Sequence, residues 1–193
     1  MGKSITKEEI AQFEIEEFTG NIVIVETLKD AEKAVEHLSG YDILGFDTET
    51  RPAFKKGTTN EVALIQLSTD ETCFLFRLNK IGFPPSLIRL LSDPCILKIG
   101  LSLRDDFMTI RRKYPFEPAG FIDLQKLMPQ YDIDDISLQK IYALIFGKKI
   151  SKNQRLTNWE ADELSEAQKK YAALDAWACL KIYKHLCLTK KSI

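Results

Sequence analysis

The fold is decided by residues 42–50, Asp-Ile-Leu-Gly-Phe-Asp-Thr-Glu-Thr, in which a short apolar run leads directly into two acids. The run 43–46 predicts a buried strand. Because side chains alternate along a strand, Asp47 and Glu49 project from one face, about 6.5 Å apart along the backbone. Buried carboxylates are costly unless a cation meets them, and two on one face favour a hard divalent ion such as Mg²⁺ or Mn²⁺. Taken alone, the pair is more typical of a solvated turn, so a metal site requires matching acids elsewhere.

Composition places limits on the class of protein. The chain has 193 residues, 45% of them hydrophobic and 28% charged, which is typical of one soluble globular domain. A net charge of −1 excludes a global positive field, so any basic surface for a polyanion must be local. The four cysteines show no metal-binding spacing, and we expect free thiols. No signal peptide or apolar run of membrane-spanning length is present, which predicts a cytoplasmic protein without a membrane partner.

Apolar runs outside this stretch predict the other strands and helices. We expect strands at 22–25, 62–67, 73–76, 96–101 and 121–122, and helices at 28–38, 87–91, 103–114, 138–146 and from 166 onward. The runs 62–67 and 73–76 predict an antiparallel hairpin, and 51–60 a polar loop. Strands that later alternate with helices predict an α/β fold, a mixed sheet flanked by helices. Residues 1–20 are predicted to be an N-terminal lead-in with a short helix near 6–13, and 21–190 the one domain.

A second acidic position follows the strand at 96–101. Asp105 and Asp106 open the next helix, where the helix dipole alone favours acids. Leu103, Phe107 and Ile110 define the buried stripe of that helix. Asp106 borders the stripe, whereas Asp105 lies about 200° away from Leu103 and faces solvent. Asp106 is therefore the candidate for the site.

The last long helix carries the third position. Asp175 lies on its apolar stripe, four residues after Tyr171, so the two side chains share a face. An unpaired aspartate there is hard to explain structurally, whereas the tyrosine equally fits core packing. Just upstream, residues 147–155 contain four cations and no acid. Such a run is usually a solvated loop, but beside an acidic cluster it could bind a phosphodiester backbone.

Three segments resemble a known family. Phe46-Asp47-Thr48-Glu49, the segment 100–106 and the segment 164–176 resemble, in order and spacing, three sequence blocks of the DEDDy 3′–5′ exonucleases. The chain is similar to Werner-type exonuclease domains and, less closely, to ribonuclease D, over roughly residues 20–188. The resemblance implies a ribonuclease H-like fold, with a five-stranded mixed sheet flanked by helices.

The resemblance also implies an activity and a set of site residues. Asp47, Glu49, Asp106 and Asp175 would bind two divalent cations, Mg²⁺ or Mn²⁺, and Tyr171 would orient the attacking water. The implied reaction releases nucleoside monophosphates from the 3′ end of DNA or RNA, with Thr48, Lys152 and Arg155 expected to contact the nucleic acid. We expect a free-standing nuclease domain. The alternative is a catalytically silent module that kept the fold and binds nucleic acid or acts as a scaffold.

Overall fold

The structure is a computed structural model that describes residues 2–52 and 60–190, so most of the polar loop predicted at 51–60 lies outside the described residues. The strands are β1 (Glu14–Ile15), β2 (Asn21–Val25), β3 (Ile43–Thr50), β4 (Val62–Ser68), β5 (Thr72–Arg77), β6 (Leu97–Gly100), β7 (Phe121–Asp123) and β8 (Lys148–Lys149). The helices are α1 (Lys7–Ala11), α2 (Leu28–Leu38), α3 (Leu78–Ile81), α4 (Pro85–Leu91), α5 (Leu103–Arg111), α6 (Leu124–Leu127), α7 (Leu138–Phe146) and α8 (Glu166–Lys190), with a 3₁₀ turn at Met128–Tyr131.

The main sheet is mixed and has the order β2-β5-β4-β3-β6-β7. β3 and β5 pair antiparallel with β4, and the other neighbours pair parallel. The predicted α/β class and the hairpin at 62–76 are confirmed. The count of five strands that the resemblance implied is wrong: the sheet has six, the number that the apolar runs predicted, with the short β7 paired to β6 through Ile99 and Ile122.

Helices cover both faces of this sheet. α7 and α8 pack on one face through a core that includes Leu64, Leu75 and Ile99 from the strands. α2, α4 and α5 pack on the other face around Phe46, Ile65 and Phe76. Every residue of β4 is buried, as expected for a central strand covered on both sides. None of the described helices is long and apolar enough to cross a lipid bilayer.

An N-terminal segment, defined here as residues 2–18, packs on α7 and the strand that follows it. The helix predicted near 6–13 forms at Lys7–Ala11, where the Thr6 hydroxyl caps it by accepting from the Glu9 backbone N–H. Ile10 packs against Ala143 of α7. β1 then pairs parallel with β8, so the segment reaches the basic run at 147–155.

This segment buries one acid, Glu16, which is only 7% exposed. Its carboxylate accepts a hydrogen bond from the Tyr142 hydroxyl at 2.5 Å and from the ammonium groups of Lys148 and Lys181, each at 3.0 Å. Burial alone would raise the pKa of Glu16, but these three donors lower it to about 2. Glu16 is therefore a buried carboxylate that the fold itself neutralises.

Candidate active site

The first two site acids lie inside the sheet. β3 continues through both of them, because Asp47 is in register with Gln66 of β4 and Glu49 with Leu64. Glu49 is 9% exposed. The solvated turn that the isolated pair suggested is therefore absent, since pairing with β4 keeps the chain extended beyond the apolar run. Alternation along the strand puts both carboxylates on the face that α8 covers.

α8 brings the third acid against this strand. Ser165 and Gln168 form the predicted capping box before Glu166, and Asp175 lies more than two turns into the helix at 7% exposure. The helix approaches β3 closely at Gly45, where an added Cβ would lie 2.0 Å from the carbonyl oxygen of Ala176. As a result, one carboxylate oxygen from each of Asp47, Glu49 and Asp175 lies within 4.8 Å of the other two.

Asp106 lies beside this group of three, near enough for its charge to raise the pKa of Glu49. Asp123, at the end of β7, accepts from the backbone N–H groups of Ser102 and Leu103 and so fixes where α5 begins. One turn later Asp106 is half-buried and its neighbour Asp105 is exposed, as the helix geometry predicted. The Thr48 hydroxyl donates a hydrogen bond to Asp106 Oδ1 at 2.5 Å. Thr48, which the sequence analysis expected to contact nucleic acid, therefore binds one of the acids in this structure.

The four acids lack a cation that would neutralise them. No ion pair involves any of them within residues 2–52 and 60–190. Burial, followed by the charges of Asp175 and Asp106, raises the pKa of Glu49 to about 9. Burial likewise raises the pKa of Asp175 to about 7, and, against a hydrogen bond from Thr48, that of Asp106 to about 6. The pKa of Asp47 is also raised, by burial and by its acidic neighbours.

This donor set suits a divalent cation. Several carboxylate oxygens converge, none of the described lysines and arginines forms an ion pair with them, and their ionised forms are disfavoured until a positive charge arrives. Hard cations that prefer oxygen ligands match such a site. The described histidines and cysteines do not join this group of potential ligands.

Tyr171 lies next to Asp175, at one side of the acidic cluster. Its hydroxyl donates a hydrogen bond to Asp175, which opposes the rise of that pKa, and its ring lies 6.0 Å from that of Trp159. Burial and the charge of Asp175 raise the pKa of Tyr171, so the hydroxyl remains a proton donor at neutral pH. Tyr171 and two of the acids line a cleft of about 370 Å³.

The basic run beside the cleft divides into two pairs. Lys148 binds Glu16, and Lys149 Nζ donates to the carbonyl oxygen of Ala11, so the first two cations hold the N-terminal segment. Lys152 and Arg155 line the cleft with the acids. Their charges act on the acids from a distance, that of Lys152 on Asp175 and that of Arg155 on Glu49, without forming an ion pair.

The structure adds residues that the sequence analysis did not select. Ser102, Gln125, Ile136 and Cys179 also line the cleft. Asp123 holds the start of α5, and its place directly after a short strand was the available signal. Cys179 is one turn beyond Asp175 on α8, a spacing that could have shown its position near the site. All four cysteines are free, as predicted.

Comparison with known sequences gives one consistent result. The sequence pattern of a family described as 3′–5′ exonuclease matches residues 22–189. The mouse bifunctional 3′–5′ exonuclease/ATP-dependent helicase WRN is 33% identical over 180 residues, which are 88% of this chain and 13% of that protein. A 3′–5′ exonuclease of Arabidopsis thaliana is 30% identical over 185 residues, 88% of this chain and 64% of that protein. The chain thus spans less than two thirds of the length of either relative.

Comparison with solved structures supports the fold. The crystal structure of Escherichia coli RNase D, described as an exoribonuclease involved in structured RNA processing, superposes with a TM-score of 0.78. The match covers 89% of this chain and 46% of that one, at 24% sequence identity. At that level of identity, the structural similarity supports the fold of the chain and nothing further.

Proposed function

The chain belongs to the 3′–5′ exonuclease family, and on that premise we propose that it hydrolyses phosphodiester bonds from the 3′ end of DNA or RNA and releases nucleoside 5′-monophosphates. The observation that carries the proposal is the group of oxygens from Asp47, Glu49 and Asp175 within 4.8 Å, beside Asp106 and without an ion-pair partner in the described part of the chain. The arrangement fits the tyrosine subclass, DEDDy, because Tyr171 lies in hydrogen-bonding contact with Asp175.

The metal ligands in this proposal are the four acids Asp47, Glu49, Asp106 and Asp175. Two divalent cations, Mg²⁺ or Mn²⁺, would be held there, since four carboxylates exceed what one hard cation needs for charge balance. When bound, such ions supply Lewis-acid activation of water and stabilise charge on the phosphate. The Thr48 hydroxyl positions Asp106, and through it Thr48 would act on the bound strand indirectly.

The other site residues act on water and on the strand. The Tyr171 hydroxyl, held by Asp175 and kept protonated, is placed to orient the attacking water. Lys152 and Arg155 are free of ion pairs among the described residues and line the cleft, so we assign them to the phosphate backbone. Because two described cations line the cleft, we expect binding to depend on contacts near the 3′ end.

The choice between DNA and RNA remains part of the proposal. The E. coli structural neighbour is described as an exoribonuclease, whereas the mouse relative combines its exonuclease with a helicase. We propose a cytoplasmic location, which four free cysteines support because a reducing compartment keeps thiols unpaired. We also keep the boundary between the lead-in, 1–20, and the exonuclease domain, 21–190, as a proposal.

The decisive experiment is degradation of 5′-labelled strands. Single-stranded DNA, recessed duplex DNA and RNA are each incubated with Mg²⁺, Mn²⁺ or EDTA. We expect a metal-dependent ladder that shortens from the 3′ end, absent in EDTA. Asp106→Asn should abolish it, and the matched exposed neighbour variant Asp105→Asn should not.

Two other outcomes would contradict the proposal. Cleavage of a circular single strand, which has no 3′ end, would show an endonuclease. Retained binding with no released nucleotide on any substrate would identify the catalytically silent module.

A further inference from the structure

A second cavity adjoins the cleft on the other side of Tyr171. It has a volume of about 210 Å³, several times the roughly 30 Å³ that one water molecule occupies in the liquid. We call it the flank pocket, and its walls include Phe18 of the N-terminal segment, Asn153 and Gln154 of the basic run, and Lys170 and Tyr171 of α8. The family pattern begins at residue 22, so one wall of this pocket comes from outside that pattern.

The chemistry of the lining selects an uncharged, flat ligand. Phe18 and Leu174 supply apolar surface, and Asn153 and Gln154 supply primary amides that can both donate and accept hydrogen bonds. Lys170 is the single cation among the lining residues, and Glu17 offsets it, whereas Glu16 is already paired with Lys148 and Lys181. The lining therefore carries no excess of positive charge, which disfavours a phosphate group. A heteroaromatic ring with donors and acceptors on its edge fits both surfaces.

The pocket lies close enough to the acids for a ring bound in it to belong to the same nucleic-acid strand. Tyr171 lines both cavities, with its hydroxyl bonded to Asp175 on the cleft side. A strand whose phosphate lies at the acids therefore passes within one side chain of the flank pocket. At its mouth Ile15 is 57% exposed, which leaves apolar surface available to a ligand.

We propose that the flank pocket binds one unpaired nucleobase of the substrate strand, near its 3′ end. This inference rests on the proposed action on nucleic acid. It predicts a preference for single-stranded 3′ ends, because a base in a duplex is stacked and paired and cannot enter the pocket. It also gives the N-terminal segment a direct part in substrate binding.

The test measures binding without hydrolysis. Fluorescence anisotropy in EDTA compares a labelled single strand with a series of strands that each carry one abasic nucleotide, moved stepwise from the 3′ end. We expect an abasic nucleotide at one position to weaken binding about tenfold, the range of a single stacked base. Equal affinity for every strand in the series would overturn the pocket.

A variant that fills the pocket sharpens the test. Ala167 lines the pocket and is exposed on α8, so Ala167→Leu occupies the space without removing a core contact. It should weaken binding of the intact strand about tenfold and leave the affinity for the sensitive abasic strand unchanged. Ala11→Leu, at an exposed helical alanine that does not line the pocket, is the matched control. If Ala167→Leu bound the intact strand as the wild type does, the proposal would be wrong.

The readouts separate this inference from the proposed function. Nucleotide release from the intact strand with Mg²⁺ is measured on the same preparations. Nucleotide release together with equal binding of all abasic strands would contradict base binding in the flank pocket but support the proposed nuclease activity. Weakened binding of one abasic strand without any nucleotide release would support the pocket but contradict the proposed nuclease activity.

Discussion

Glu16 and Glu49 are two buried glutamates in one small domain, and their surroundings are opposite. Glu16 meets two lysines and a tyrosine hydroxyl, and its pKa falls to about 2. Glu49 meets Asp47, Asp175 and Asp106, and its pKa rises to about 9. Both lose water on burial, which raises the pKa of each, and their partners then act in opposite directions.

The contrast separates two uses of a buried charge. At Glu16 the protein supplies its own counter-charge, and the result is the attachment of the N-terminal segment to α7, β8 and α8. At Glu49 it withholds the counter-charge and concentrates more acid, which destabilises the metal-free fold. A site of the second kind is stabilised by an external cation, and that property indicates function.

The largest expected effect is on activity at the acidic cluster. Asp175→Asn keeps the shape of the side chain but removes a charge that a cation needs, so the rate of nucleotide release should fall about a thousandfold or more. Glu16→Gln should lower that rate by no more than about tenfold, because Glu16 lines the flank pocket but is not among the proposed cation ligands. The measurement is release from a 5′-labelled single strand with Mg²⁺. Equal losses in both variants would show that the two regions do not differ in role.

The reverse order is expected for stability. Glu16→Gln leaves two lysines without their acid, and the free energy of unfolding should fall by about 2 kcal/mol, less than for a fully buried pair because both lysines are partly exposed. Glu49→Gln removes a carboxyl group that must take up a proton on folding at neutral pH, and it should raise the free energy of unfolding by about 1 kcal/mol in EDTA. Urea unfolding measures both. A Glu49→Gln protein less stable than the wild type would contradict the electrostatic account of the cluster.

The two regions should also respond to pH in opposite directions. Glu16 has a lowered pKa, so its contribution is complete above about pH 4.5 and is lost as the pH falls toward 2. Asp106, Asp175 and Glu49 have raised pKa values of about 6, 7 and 9, so the folded state binds more protons than the unfolded state between about pH 4 and 9. Stability in EDTA therefore falls as the pH rises through that window, by about 1.4 kcal/mol per pH unit for each extra proton.

Divalent cation provides the control for that pH effect. Mg²⁺ or Mn²⁺ at a hundred times its dissociation constant should add about 2.7 kcal/mol of stability at pH 8 and flatten the slope. Thermal unfolding at stepped pH, with and without the cation, measures both quantities. The same cation should not stabilise Asp175→Asn to this extent. A cation effect that persists in that variant would place the binding elsewhere.

The smallest expected effect compares two tyrosine hydroxyls. Tyr142 donates to Glu16, and Tyr171 donates to Asp175. Tyr171→Phe should slow nucleotide release about tenfold with little change in stability, because the ring remains and the hydroxyl no longer orients water. Tyr142→Phe should lower stability by about 1 kcal/mol and leave the rate unchanged. An unchanged rate in Tyr171→Phe would leave that residue as core packing.

The positions of the site acids and of Tyr171 could be predicted from the sequence because they follow from local periodicity. Alternation along β3 put Asp47 and Glu49 together, and the 100° step of a helix chose Asp106 over Asp105. Tyr171 and Asp175 share a helical face at a spacing of four residues. Each of these inferences needs only neighbours within one element, so no knowledge of the fold was required.

The remainder depends on contacts between distant parts of the chain. Glu16 pairs with Lys148 and Lys181 across 132 and 165 residues, and no local pattern marks such a partner. β1 and β8 have two residues each, too few for a period. For the same reason the division of the basic run between the N-terminal segment and the cleft could not be predicted.

The close approach at Gly45 bears on how relatives of this protein should be sorted. The acids of β3 and the acid of α8 meet only because no side chain separates the strand from the carbonyl of Ala176. A homologue could therefore retain every acid and the tyrosine and still be inactive if a larger residue stood at this position. A screen for inactive members of the family should inspect the residue two places before the first acid as carefully as the acids themselves.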